Sequence, residues 1–172
     1  EPRDGGGVPE SVPADRAVVS GAQSGGSMVF RMSTGDTLYR IPITTVGGAA
    51  FTADGSTLYA VSGSLSGDEQ ILVVNAGTGT VTAQAQTPPG SYVLGLALAA
   101  GESRMLIAVQ HDAVPEVLVY DAGSLSLVGR LVAPDTTGSN IPGWLDAAII
   151  ADDVTSVIYV MGAGGNIWEF DM

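Results

Sequence analysis

Cysteine is absent from the 172 residues, which excludes disulfides, thiolate metal sites and thiol nucleophiles. Lysine is absent too, so all six basic residues are arginine, against 18 acidic ones. A net charge of -12 argues against binding the phosphate backbone of nucleic acid or docking on anionic lipid by charge alone. It fits solubility, or the steering of a cationic partner. No apolar stretch approaches the ~20 residues needed to span a bilayer, so no transmembrane segment is expected in this chain. No window sustains the apolar i, i+3, i+4, i+7 stripe of a capped helix. The first residue is Glu1 rather than Met, so the chain reads as processed, trimmed or a piece of something longer. A removed signal peptide would account for it, and an exported location is the expectation.

What is present is a succession of short β-like runs. Residues 1–16 (EPRDGGGVPESVPADR) hold three prolines and three consecutive glycines and read as a flexible or extended arm. From residue 17 onward, runs rich in Val, Ile, Leu, Tyr and Thr alternate with Gly, Asp, Asn, Ser and Pro. Strands are predicted at 17–20, 28–32, 37–43, 49–52, 57–61, 70–75, 80–86, 92–99, 105–110, 116–121, 126–132, 146–150, 156–161 and 166–170. Regularly spaced short strands point to an all-β sandwich, barrel or propeller.

An internal repeat decides among these. "VVNAGTGTVTAQ" at 73–84 aligns with "LVYDAGSLSLVGR" at 118–130, "FRMSTGDTLYRI" at 30–41 and "WEFDM" at 168–172. The landmark positions Met32, Asn75, Asp121 and Asp171 are 43, 46 and 50 residues apart. A second set, Val61, Val109 and Val160, ends the runs "FTADGSTLYAVSG", "LAAGESRMLIAVQ" and "IIADDVTSVIYVMG" with spacings of 48 and 51. Periods just above 40 residues, each holding four strands, are the signature of propeller blades.

The stretches "LYAVSG" and "ILVVNAGTGTVTAQ" resemble the YVTN-type β-propeller repeat of bacterial surface and exported proteins, with relatives among lactonase-like propellers. The resemblance covers 17–172 and implies a fold and an exported location; it transfers no active site. Four repeats follow, at about 17–45, 46–90, 91–142 and 143–172, of three to four antiparallel strands each. The first lacks a first strand and the last lacks a fourth. Such a domain closes as a minimal ring, stays an open arc, or is completed by another chain. In the last two cases the edges at Ala17, Val18 and Val19, and at Asn166, Ile167 and Trp168, invite strand addition by a protein partner or by self-association.

The candidate chemistry is sparse. Gly77-Thr78-Gly79 lacks the spacing and lysine of a phosphate loop, and "GAGG" at 162–165 joins two strands, not a strand and a helix. Both read as hairpin turns. His111 and Asp112 fall in a predicted loop; neighbours on an extended chain point apart and do not converge on a metal or a proton. Asp68-Glu69 offers too few carboxylates for calcium, and Asp152-Asp153 occupies a turn. Trp168 lies in a strand and reads as packing, whereas Trp144, in the loop "SNIPGWLDA", is a candidate contact residue. No catalytic, cofactor-binding or metal-binding residue is assigned. The expected role is a non-catalytic structural or protein-binding module, an extrinsic accessory subunit of a larger exported or membrane-associated assembly. The alternatives are a lactonase-like propeller hydrolase, with metal ligands near His111 and the acidic turns, and a piece of a longer propeller. No small-molecule ligand is indicated.

Overall fold

A hydrogen-bonded turn recurs in three places and sets the frame of the molecule. In a computed structural model, which describes residues 15–19, 26–63, 69–111, 114–132, 148–152, 154, 156–161 and 167–171, the carbonyls of Arg31, Asn75 and Asp121 accept from the N–H of Gly35, Gly79 and Leu125 at 2.8, 2.8 and 2.9 Å. All three donors have positive φ (74°, 74° and 56°), which glycine adopts freely and leucine does not. The turns close the hairpins β2(Ser27–Arg31)–β3(Thr37–Ile41), β6(Gln70–Asn75)–β7(Val81–Gln86) and β10(Val114–Asp121)–β11(Leu127–Val132). The repeat position in the first copy is thus Arg31, one residue before the Met32 that the alignment selects.

The remaining strands are β1(Arg16–Val19), β4(Val46–Phe51), β5(Thr57–Ser62), β8(Ser91–Ala99), β9(Arg104–His111), β12(Ala148–Asp152), β13(Val157–Met161) and β14(Ile167–Asp171). They form four antiparallel meanders in chain order: β1-β2-β3, β4-β5-β6-β7, β8-β9-β10-β11 and β12-β13-β14. These are the expected three, four, four and three strands. The sheets stack face to face in sequence order, and the strands that meet across sheets at the inner side are β4, β8 and β12. The outermost strands β7 and β11 are mostly exposed. The four sheets make a propeller-like series that, among the described residues, does not close into a ring.

Three apolar layers hold the series. Val29, Ile41 and Ile43 meet Leu58, Ala60, Leu72 and Val74 between the first two sheets. Tyr59, Val61 and Ile71 meet Met105, Ile107, Leu118 and Tyr120 between the second and third. Leu106, Ala108 and Val117 meet Ile149, Ile158, Val160 and Phe170 between the third and fourth. Alternate residues of β5, β6, β9 and β10 therefore serve opposite layers, which is why these strands read as continuous apolar runs. At 25 cal/mol per Å², each such layer is the main favourable term between neighbouring blades.

Register corrects the second landmark. Val61 pairs with Ile71, Val109 with Glu116 and Val160 with Trp168, which lie four, five and three residues before Asn75, Asp121 and Asp171. The structurally equivalent residues are Val61, Ala108 and Met161. A one-residue slip changes the face a side chain serves, but with both faces apolar the sequence pattern does not register it. Strand β1 starts at Arg16, and Asp15 just before it accepts from Ser33. His111 ends β9, paired with Ser91 and Val114, and is not in a loop.

Candidate interaction surfaces

The turns themselves are self-satisfied. Asn75 Oδ1 accepts from the N–H of Gly77 and of Thr78, both at 3.0 Å. Asp121 Oδ1 accepts from the N–H and Oγ of Ser124, both at 2.9 Å, and Arg104 Nη1 donates to its other oxygen at 2.8 Å. Asp54 Oδ1 accepts from Thr52 Oγ1 at 2.7 Å and Ser56 N–H at 2.9 Å. Donors aimed at an ionised carboxylate favour its charged form. Asp121 is held below its ordinary range first by the Ser124 backbone N–H, then by the Ser124 hydroxyl; Asp54 is lowered first by the Ser56 N–H. These groups are spent on their own turns, as expected for Gly77-Thr78-Gly79.

The acidic pairs divide similarly. Asp152 Oδ1 accepts from Val154 N–H at 2.9 Å, a turn contact. Glu69 is buried and accepts from Ser62 Oγ at 2.7 Å, while its backbone carbonyl accepts from Thr87 N–H at 2.9 Å. It ties β5, the start of β6 and the exit of β7 together. Asp68, Asp112 and Asp153 lie outside the described residues, as does the 162–165 turn. Among the described residues no three His, Asp or Glu side chains gather in a way that would hold a metal.

Blades are also tied by polar contacts at the turns. Arg16 Nη1 reaches from the first sheet to the carbonyls of Gly55 (3.3 Å) and Ala76 (2.7 Å) in the second. Glu102 accepts from Ala53 N–H, and Tyr59 Oη donates to the Ala122 carbonyl at 3.3 Å. The first blade thus clamps two turns of the second, and the second and third each hold a turn of the other.

Two grooves lie at the two ends of the series. One, of about 380 Å³, is lined by Leu106, Val119, Leu131 and Ile158 with Arg104 and Asp171 at its polar end. It opens between β11, the outermost strand of the third sheet, and β14, the outermost described strand of the fourth. The second, of about 350 Å³, is lined by Arg16, Ala17 and Val18 of β1 and by Val46, Ala49 and Phe51 of β4. It opens between the innermost described strands of the first and second sheets. Both coincide with the places where the four-stranded sheets carry a strand and the three-stranded sheets, among the described residues, do not.

The expected contact residues fall as follows. Ala17 and Val18 line the second groove, and Val18 also packs against the first apolar layer. Val19 is exposed. Ile167 is exposed, whereas Trp168 is half-buried against the layer between the third and fourth sheets. Trp144 and Asn166 lie outside the described residues. Sequence reasoning named edges but missed the grooves, because Leu106, Val119 and Leu131 read as ordinary core positions. It also named Ile167 without Ile150 and Met161, which form an exposed row with it on the last sheet.

No protein-family model and no curated protein matches the sequence. Solved structures do match in fold. A structure of the mitotic checkpoint complex superposes with a TM-score of 0.63 at 16% identity, over 92% of this chain and 46% of that one. The Cps50 (Swd1) β-propeller domain of Myceliophteria thermophila gives 0.61 at 15%, over 91% and 48%. Dihydro-heme d1 dehydrogenase NirN in complex with DHE gives 0.63 at 20%, over 95% and 33%. The chain spans about half or less of each of these chains. At such identities the likeness establishes a β-propeller fold and leaves the YVTN-type repeat as a resemblance.

Proposed function

We propose that this chain is a protein-interaction β-propeller module that binds its partner at the ends of its blade series, as an accessory subunit of a larger exported assembly. The observation that carries this reading is the coincidence of the two grooves, the larger of them mainly apolar, with the two strand positions left unfilled among the described residues. A partner strand laid along β14 gains ladder hydrogen bonds from the sheet edge and an apolar seat on Leu106, Val119 and Leu131. The acidic surface favours a partner segment of positive charge. The mitotic checkpoint complex, one of the structures that shares the fold, is a protein assembly, and the YVTN-like runs support an exported location. No bond-making chemistry is part of this reading.

The test is site-directed photo-crosslinking in the native host. A photoreactive residue at Val132, exposed beside Leu131 on β11, is expected to capture a distinct protein. The same residue at Thr82, exposed on β7 in the second sheet, is not. Equal capture at both positions, or none at Val132, would overturn the reading. Export is checked by locating the protein in fractionated cells; a cytosolic pool alone removes it.

A further inference from the structure

The three internal layers each join the forward face of one blade to the rear face of the next. Among the described residues one forward face and one rear face are left without a neighbouring sheet. Aligned on strand register, with Val157–Asp171 matched to Thr57–Asn75, the forward face of the last blade repeats that of the second: Tyr159 stands where Tyr59 does, Met161 where Val61 does and Ile167 where Ile71 does. In the second blade these three are buried. In the last blade Met161 is 42% and Ile167 62% exposed, with Ile150 beside them at 55%. The rear face of the first blade carries Ala17, Val19, Met28 and Phe30. Phe30 stands where Tyr120 and Phe170 stand in the third and fourth blades, and both of those fill a layer. The two open faces are therefore the two halves of one blade–blade layer.

Their charges also match. Glu169, opposite Tyr159, is on the forward face, and Arg40, opposite Met28, is on the rear face. No internal layer has this acidic residue at the equivalent position, which is Val29, Val73 or Val119.

We infer that the forward face of the last blade seats the rear face of the first blade of a second copy of this chain, head to tail. A heterologous contact of this kind closes when the rotation per copy allows it. Two copies of four blades would make an eight-bladed ring, within the usual range of four to eight. The inference shares with the proposed function only the premise that the end blades bind protein.

Light scattering after size exclusion tests it. The chain is expected at twice 17.3 kDa. Ile167→Glu and Val19→Glu change exposed side chains on opposite end faces, so each should still unfold in one cooperative transition, at the lower temperature expected once association is lost, and run at 17.3 kDa. An equimolar mixture of the two should regain a dimer, because each variant retains the face the other has lost. A chain at 17.3 kDa across the micromolar range and in high salt, a series growing beyond two copies, or two variants that stay monomeric when mixed would each overturn the inference. A monomeric chain leaves the Val132 crosslinking result free to stand or fall separately.

Discussion

Asn75 and Asp121 occupy one structural position in successive blades, and the pair isolates the effect of charge in a turn. Both side chains accept two hydrogen bonds from the residues that follow. Because the folded-state value of Asp121 is lowered, its contribution is complete above the ordinary carboxylate value of about 3.9 and is lost as pH falls through the lowered one. Asp54 and Asp15 act with the same sign. Melting followed from pH 7 to pH 2 should therefore fall most steeply below about pH 4. Asp121→Asn should leave the turn intact and make that acid loss shallower; an unchanged acid profile counts against this role for Asp121. Tyr39 offers a second residue-scale test. Its hydroxyl is buried with no partner among the described residues, and burial pushes its ionisation upward. Tyr39→Phe should leave stability unchanged or raise it by up to about 1 kcal/mol, since a buried unsatisfied hydroxyl is a cost. Below that ring, a Cβ at Gly79 would come within 2.6 Å of Tyr39 Cγ at a φ of 74°. Gly79→Ala should destabilise by about 1–3 kcal/mol, from crowding and left-handed backbone strain together, as read in a urea titration.

At the scale of elements, the inner strands carry the tightest constraint. β4 and β8 approach so closely that a Cβ at Gly48 would lie 2.6 Å from Leu96 N and 2.7 Å from Leu96 Cβ. Backbone cannot yield as a flexible side-chain tip does. Gly48→Val should cost at least about 3 kcal/mol or prevent folding, seen as lost expression or a collapsed melting transition. Both strands change register at this level, at Val46/Gly48 and Val93/Gly95, and an extra residue bends a strand and sharpens its twist. A similar shift recurs between the third and fourth strands at Val29/Phe30, Val73/Val74 and Val119/Tyr120. The repeat is thus a repeat of irregularities as well as of apolar positions. Neither kind of shift is visible in alternation, because apolar residues occupy both faces of the inner strands.

For the whole molecule, charge and shape act in opposite directions. Each copy carries -12, so two copies repel at long range, while the open end faces attract at contact. Salt shortens the range of the repulsion to about 8 Å at 0.15 M and barely weakens apolar burial. The dimer should tighten as salt is raised from low to moderate concentration, as measured by sedimentation equilibrium. Dissociation on adding salt would mean that ion pairs, not the apolar layer, hold the copies together.

Strand number, strand order and the repeat were readable in the residues because hairpin turns need particular side chains at fixed places. Asn75, Gly79 and Asp121 mark their turns wherever the chain goes next. All fourteen strands are legible on that ground, and so is the hairpin turn at Gly77-Thr78-Gly79. Which face each strand residue serves was not legible, since an inner blade is apolar on both sides and a slip of one residue leaves the pattern looking the same. That is why Val109 and Val160 were aligned with Val61 when Ala108 and Met161 are its equivalents. The grooves and the bare row of Ile150, Met161 and Ile167 come from one further fact: burial depends on whether a neighbouring blade is present. Tyr59 and Tyr159, Ile71 and Ile167 are the same residues in the same register. The first of each pair is core and the second is more open because the third sheet stacks on the second, while no described sheet stacks on the fourth.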